Sequence, residues 1–213
     1  MRILVAIVAL TLASVLHAQL DTGLVRYRGG FDFKEGIYLR FEAFRDNAPT
    51  MPLKELTDAQ GRPVTDLMRG DKLFHLDSSS VRLPVPLDNV WGLCNNNVIY
   101  LRAGDGFYRI GMMGSLCHVL YESSYHDFSN YGSGYMMGGP VTRTVQEQRI
   151  LDMETGAFLS LNAATMEQLL QRDVVLYEEW SAVPVKKRKE EVIFLFLRRY
   201  NDRHPLFFPI AGP

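Results

Sequence analysis

The residues best suited to nucleophilic chemistry lie in one stretch, WGLCNNNVIYLRAGDGFYRIGMMGSLCHV, residues 91–119. It contains both cysteines of the chain, Cys94 and Cys117, and also His118. A cysteine nucleophile needs a base within hydrogen-bonding distance and surroundings that lower the thiol pKa. Cys117 and His118 are adjacent, so in a strand their side chains point to opposite faces and cannot pair. No helix N-terminus adjoins either cysteine, and the pattern therefore predicts buried structural cysteines rather than a catalytic thiol.

The same two cysteines are the candidate disulfide of an exported protein, Cys94–Cys117. In a simple meander, two strands lie between the strands that carry them, which separates them by roughly 14 Å at ~4.8 Å per strand. A disulfide needs Cα atoms about 5.5 Å apart. We therefore expect the thiols to stay unpaired unless the sheet curls strongly or folds over on itself.

Other suggestive patterns lack the spacing that their chemistry requires. AGDGFYRIG (103–111) has neither the third glycine nor the following helix of a dinucleotide-binding loop, and hairpin turns account for its glycines. The histidines beyond the N-terminal segment are His75, His118, His126 and His204, and none lies three or four residues from another, as metal ligands on one helix would. No GxSxG, HExxH or P-loop motif occurs. The sequence predicts no catalytic residue, no metal site and no cofactor.

Residues 123–140, SSYHDFSNYGSGYMMGGP, are the best candidate for molecular recognition. They form the longest stretch without a periodic pattern, and tyrosines and methionines among glycines can make an adaptable contact surface. The candidate recognition residues are Tyr125, His126, Tyr131, Tyr135, Met136 and Met137. The alternative is a solvated surface loop with no binding role.

Strand patterns dominate the chain up to residue 161, and helical patterns follow. VIYLRA (98–103) alternates as a half-buried strand does, and short turns on either side indicate hairpins. Asn162 is a credible N-cap for a helix in NAATMEQLLQRD, and KKRKEEVIFLFLRRYN (186–201) favours a second helix. Periodicity alone does not separate a helix from a buried strand at VIFLFL, residues 192–197. This order predicts an α+β fold, an antiparallel β-sheet meander of undetermined curl with C-terminal helices packed on it.

The N-terminus predicts export. One charge, Arg2, precedes an apolar run from Ile3 to Leu16, and small residues follow, which is the order of a secretory signal peptide. The run is shorter than the ~20 residues that span a bilayer, and we expect cleavage after Ala18. No later apolar run is long enough to form a transmembrane segment. Residues 1–18 are thus the predicted signal peptide, and 19–213 a single α+β domain, sheet-rich over 23–161 and helical over 162–203.

The net charge of the chain argues against nucleic acid as a partner. The chain has 23 Lys and Arg against 24 Asp and Glu, a net charge of −1. Without a basic excess to bind phosphate backbones, nucleic acid is not an expected partner.

Three segments resemble small exported proteins of unknown function from Bacteroidota-type bacteria. They are GIYLRFEAFRDNAP (36–49), VIYLRAGDGFYRIGMMGSL (98–116) and FLRRYNDRHPL (196–206). The resemblance implies a location in the cell envelope and brings no catalytic residue, cofactor or substrate.

Together these patterns favour a non-catalytic binding or assembly module in the periplasm, at the outer membrane or outside the cell. Its partner would be another envelope protein or a small ligand. Two alternatives stay open. One is an envelope hydrolase with a site near residues 123–140 that uses His118 or His126, and the other is a small-ligand carrier with an apolar cavity of several hundred Å³.

Overall fold

The computed structural model describes residues 23–69, 72–77, 79–104, 106–127 and 141–209. The predicted signal peptide lies outside the described residues. So do four of the candidate recognition residues, Tyr131, Tyr135, Met136 and Met137.

An eight-stranded antiparallel sheet forms the centre of the fold. Its strands are β2 (Gly36–Tyr38), β3 (Met51–Pro52), β7 (Gly92–Asn95), β8 (Val98–Ala103), β9 (Gly106–Met112), β10 (Leu116–Asp127), β11 (Val141–Asp152) and β12 (Phe158–Ser160). Their order across the sheet is β12–β11–β10–β9–β8–β7–β2–β3. The six strands β7 to β12 are neighbours in chain order, so they form the expected meander. The sheet is not strongly curled, and β12 and β3 lie at its two ends.

Two smaller sheets and four helices complete the described fold. Strands β4 (Leu56–Thr57), β5 (Phe74–Leu76) and β6 (Arg82–Pro84) form one small sheet, and β1 (Leu24–Arg26) pairs with β13 (Phe207–Pro209) in the other. The helices are α1 (Phe41–Arg45), α2 (Ala163–Leu170), α3 (Val174–Ala182) and α4 (Glu190–Arg203), with short 3-10 turns at Leu53–Glu55, Leu87–Asn89 and Val185–Lys187. The α+β class is confirmed.

Successive side chains of a strand point to opposite faces of its sheet. Both faces of the central sheet carry buried residues, and different elements cover them. On one face an aromatic core forms around Phe33, Tyr38, Phe44 and Phe208 and includes both cysteines. The opposite face has two cores, because α2, α3 and α4 cover Leu116 and Ile150 at one end. The small β4–β5–β6 sheet and its loops cover the other end, over residues such as Ile37 and Leu93.

Helix α2 begins at the cap that the sequence predicts, whereas α4 begins at Glu190 rather than at Lys186, because Val185–Lys187 form a 3-10 turn. The Asn162 side chain accepts a hydrogen bond from the Thr165 amide at the start of α2. VIFLFL is helical, and the buried side of α4 carries Ile193, Phe196, Leu197 and Tyr200. The helical interpretation of residues 192–197 is therefore confirmed.

One amide fixes α4 on the sheet. Asn201 accepts a hydrogen bond from the Leu116 amide at 2.8 Å and donates one to the Leu116 carbonyl at 2.9 Å. A Cβ at position 114 would lie 2.4 Å from the Asn201 side chain. Gly114 therefore allows the close approach through which α4 holds β10.

Candidate functional site

Strands β10 and β11 form a hairpin that extends past its neighbours. Their register is continuous from Leu116↔Asp152 to Asp127↔Val141. Strand β9 pairs with β10 at His118 and Val119, and β12 pairs with β11 only over residues 149–151. We call residues 121–127 and 141–147 the ribbon; in the part of the chain that the structure describes, neither of its segments is in register with a third strand.

The prediction that residues 123–140 form one irregular stretch is wrong at its N-terminal end. Residues 123–127 continue β10, and Tyr125 and His126 lie in the strand opposite Arg143 and Thr142. The physical reason is a set of polar cross-strand pairs on one face. Ser124 and Thr144 hydroxyls lie 3.2 Å apart, and the Thr142 hydroxyl lies 3.2 Å from Nδ1 of His126. The glycines that suggested a loop begin only at residue 132.

Aromatic rings and one carboxylate fix the base of the ribbon. The Tyr121 hydroxyl donates to Oε2 of Glu147 at 2.9 Å, and Arg149 donates to the same oxygen at 2.7 Å. The hydrogen bonds from Arg149 and Tyr121 lower the pKa of Glu147, while burial and the bond to Glu147 raise the pKa of Tyr121. The Tyr121 ring also packs beside Tyr108 and Phe158, at 5.8 and 6.1 Å between centroids. The base of the ribbon is therefore a fixed support.

The far part of the ribbon is exposed. The Tyr125 side chain is 48% exposed and that of Val145 is 39% exposed, which is high for a tyrosine and a valine in paired strands. Thr142, Arg143 and Thr144 are exposed as well. Both faces of this part therefore carry solvent-exposed side chains.

Among the described residues, the outer edge of β11 over residues 141–147 has no neighbouring strand, because the chain leaves the sheet after β12. The Leu161 amide still donates to the Gln148 carbonyl, and then Asn162 caps α2 and directs the chain into that helix. Residues 141–147 of β11 are consequently in register only with β10 among the described residues.

Backbone alternation shows which groups face this edge. Gln148 accepts from Leu161, and Asp152 donates to Ala157, so both direct their backbone groups away from β10. In an antiparallel pair, alternate residues direct both backbone groups to the same side. Three residues of the exposed part of β11 lie an even number of positions from Gln148, namely Thr142, Thr144 and Gln146. Their N–H and C=O groups therefore point to the open edge of β11.

The two cysteines and His118 lie on opposite faces of the central sheet. Cys94 and Cys117 are free and fully buried in the aromatic core, and burial is the main reason why the pKa of each thiol rises to about 12. His118 lies on the opposite face of the sheet, where Nε2 is 3.0 Å from Oε1 of Gln148 and the ring meets the edge of Phe194. Burial lowers the pKa of His118. Burial and the raised pKa keep both thiols protonated at neutral pH, and the hydrogen-bonding partner of His118 is the amide of Gln148.

Sequence reasoning missed a pocket beside the end of α4. Its volume is about 330 Å³, and its lining combines apolar side chains with charged and polar ones, including Arg45, Ser115, Asp152, Arg172, Tyr200 and His204. Fully buried Asp152 accepts hydrogen bonds from Arg172 at 2.8 Å and from Thr155 at 2.7 Å. Burial alone would raise the pKa of Asp152, but these hydrogen bonds lower it.

A second carboxylate, Asp173 at the start of α3, contacts the pocket residue His204. Asp173 caps α3 by accepting from the Leu176 amide, and its other contacts are Arg203 at 2.6 Å and Nε2 of His204 at 2.8 Å. The hydrogen bond from Arg203 is the main reason why the pKa of Asp173 is lowered. The His204 ring also stacks on Tyr200, at 4.3 Å between centroids. The titratable groups of this region are thus engaged in joining α3 to the end of α4.

A larger groove lies elsewhere, along the end strand β3. It has a volume of about 900 Å³ and is open to solvent. Its walls are mainly apolar, with Ala48, Pro49, Pro52, Leu53 and Val64, and Lys34, Glu35 and Lys54 lie at its sides.

Two properties of the described residues bear on the expected partners. No set of three or more His, Cys, Asp or Glu side chains in this part of the chain is arranged to hold a metal ion. None of its helices combines the length and the apolar character needed to cross a membrane.

Comparisons with models of protein families, with characterised proteins and with solved structures yield no match to this chain.

Proposed function

We propose that the protein is an exported binding or assembly module of the cell envelope and that it contacts its partner through the ribbon. The observation that carries this proposal is the open edge of β11 beside exposed Tyr125 and Val145. An unpaired strand edge offers backbone donors and acceptors to an extended segment of another chain, and flanking side chains give selectivity. The fixed base at Tyr121 and Glu147 holds that edge in one orientation, which lowers the entropic cost of binding.

The chemistry of the other candidate residues supports a role without catalysis. The thiols of Cys94 and Cys117 are buried and protonated at neutral pH, and the pocket carboxylates are already paired with arginines. A hydrolase at His118 would need a nucleophile close to its imidazole. The recorded partner of that ring is instead an amide, Gln148.

The experiment is site-specific photo-crosslinking in the native host. A photoreactive amino acid replaces Tyr125 in one variant and Val175, an exposed residue of α3 that is also 48% exposed, in a matched control. We expect discrete crosslinked products at position 125 and none at position 175. Equal crosslinking at both positions, or none at position 125, would show that the ribbon is not the contact surface.

Export is tested separately, by the mass of the protein recovered from the envelope fraction. We expect a chain that begins at Gln19, as cleavage after Ala18 requires. Recovery of the uncleaved chain from the cytoplasm alone would contradict the proposed location.

The groove along β3 favours a second candidate function, that of a small-ligand carrier. Its volume lies within the usual range of ligand pockets, and its walls are mainly apolar. Incubation with a solvatochromic apolar dye tests this function. Enhanced fluorescence that is lost when Val64 is replaced by Glu, but kept when exposed Val175 is replaced by Glu, would favour the carrier.

A further inference from the structure

We propose that the ligand of the groove along β3 is a fatty acid, whose acyl chain lies along the apolar walls and whose carboxylate faces the lysines at the sides. This inference rests on the second candidate function, that of a small-ligand carrier, because it names the chemical class of the ligand. The two lysines are Lys34 and Lys54, and Pro52, Leu53 and Val64 are among the wall residues.

The apolar walls of the groove offer a ligand no backbone donor. Pro49 and Pro52 have no N–H group. The other three apolar residues have N–H groups that are already engaged, because Ala48 donates to the Ala43 carbonyl, Leu53 to that of Glu35 and Val64 to that of Leu56. A polar body would lose its hydrogen bonds to water along these walls without replacing them, whereas an acyl chain has none to lose.

The geometry of β3 also argues against an added β-strand in the groove. The Leu53 amide donates to Glu35, at the start of the neighbouring strand β2, so Leu53 directs its N–H toward β2. Alternate residues of an antiparallel pair face opposite sides, and Pro52 therefore faces outward. A proline at this position cannot donate to a strand that pairs with the edge. The occupant must accordingly be held by apolar contact and by charge rather than by a backbone ladder.

The charged side chains at the groove favour an anion. Lys34 and Lys54 are exposed, and neither has a carboxylate partner among the residues that the structure describes. Glu35 contributes one negative charge, but Oε1 of that carboxylate already accepts from the Asn97 amide at 3.2 Å. Lysine side chains can lie along an apolar ligand with their methylene groups while the ammonium group contacts a charged head group in water.

The size and openness of the groove divide the binding energy between the two ends of such a ligand. Its volume of about 900 Å³ is ample for an extended or bent acyl chain, and it is open to solvent. Each methylene that becomes fully buried should tighten binding by roughly fourfold. An exposed ion pair adds a factor of about five at most. We therefore expect the chain to supply most of the affinity and the lysines to select the sign of the head group.

Isothermal titration calorimetry of the folded full-length protein at neutral pH tests this selection. The probes are dodecanoate and dodecylammonium, which carry opposite charges on chains of equal length, each below its micelle concentration. We expect dodecanoate to bind several-fold more tightly. The proposal is overturned by dodecylammonium binding as tightly as dodecanoate, and equally by a lack of dodecanoate binding.

Charge-neutralising variants assign the selection to the groove. K34Q/K54Q should weaken dodecanoate binding by about threefold or more and should not weaken dodecylammonium binding. K187Q, which neutralises an exposed lysine of the Val185–Lys187 turn, is the matched control and should bind both probes as the wild type does. Circular dichroism confirms that each variant is folded. Dodecanoate affinity that is unchanged in K34Q/K54Q would overturn the assignment of the carboxylate to these lysines.

The apolar dye separates failure of this inference from failure of the carrier function. If the dye binds and V64E abolishes its binding, but dodecanoate binds no more tightly than dodecylammonium, the carrier function survives and the fatty acid does not. If neither the dye nor dodecanoate binds, both fail. The role of the ribbon is independent of either result, because photo-crosslinking at position 125 tests it.

Discussion

The bonds of Asp173 join α3 to the end of α4, and replacing this residue by Asn or Ala separates its two roles. The carboxylate is only 4% exposed, and it caps α3 while it accepts hydrogen bonds from Arg203 and His204. D173N keeps an N-cap acceptor and removes the charge, because asparagine and aspartate are about equally good caps. D173A removes both the cap and the charge.

The hydrogen bonds and the cap made by Asp173 determine how much unfolding free energy each variant should lose. Hydrogen bonds to a charged group contribute about 1.5–3 kcal/mol, so D173N should lower the free energy of unfolding by roughly that amount at neutral pH. Loss of an N-cap costs a further ~1 kcal/mol, which D173A should show in addition. We expect the order of stability wild type, D173N, D173A.

The difference between wild type and D173N should also depend on pH. The folded protein holds the pKa of Asp173 below the ordinary value, which is about 3.9 in an unfolded chain. Stability from the ionised carboxylate is therefore complete above that ordinary value and is lost as the pH falls below it, toward the folded pKa. The stability gap should narrow in acid.

Urea unfolding followed by circular dichroism measures these differences, provided that the dependence on urea concentration is the same for all three proteins. Equal stability of D173N and wild type at neutral pH would refute the reasoning. A gap that stayed constant as the pH fell below the ordinary pKa would refute the assignment of the effect to ionisation.

Three further predictions concern the core and the sheet. Cys94 and Cys117 should resist iodoacetamide in the folded protein and react completely in urea without reductant, as judged by mass spectrometry; a need for reductant would reveal a disulfide. Gly36→Ala should lower the melting temperature more than Gly61→Ala. Both glycines have a positive φ, +145° and +80° respectively, but a Cβ at position 36 would lie 2.4 Å from a carbonyl oxygen of β3, whereas a Cβ at position 61 would face open space. Asn201→Ala should cost about 1–3 kcal/mol in urea unfolding, since it leaves an amide and a carbonyl of β10 unpaired, and an unchanged midpoint would contradict the docking role of Asn201.

Local patterns account for much of the fold. The alternation in VIYLRA reappears as Ile99, Leu101 and Ala103 buried on one face of β8, and hairpin turns at each end join β8 to its neighbours. Asn162 caps α2 because its side chain competes for an amide that no helical carbonyl can satisfy. Such features depend on residues a few positions apart, and a sequence shows them directly.

Contacts between residues that are far apart in the sequence are the part of the structure that local patterns do not predict. A run of basic residues such as KKRK, residues 186–189, is usually solvated. Arg188 nevertheless donates to Glu167 and lies over the Trp180 ring, with its side chain only 10% exposed. Asp173 and His204 are 31 residues apart in sequence, and neither lies in a recognisable motif. Partners at such distances become visible only once α3 and α4 are placed.

The open edge of β11 arises from the competition between a strand and a helix for the same residues. Strand β12 could have continued past Ser160 and covered residues 141–147, but the Asn162 cap commits the next residues to α2. Shielding the edge would then require another device, such as proline or charges of one sign, and residues 142–147 contain neither. Among the described residues, this part of β11 is left without a covering strand, so its backbone donors and acceptors are those of a contact surface, and this is the physical basis for the proposal that the ribbon binds a partner.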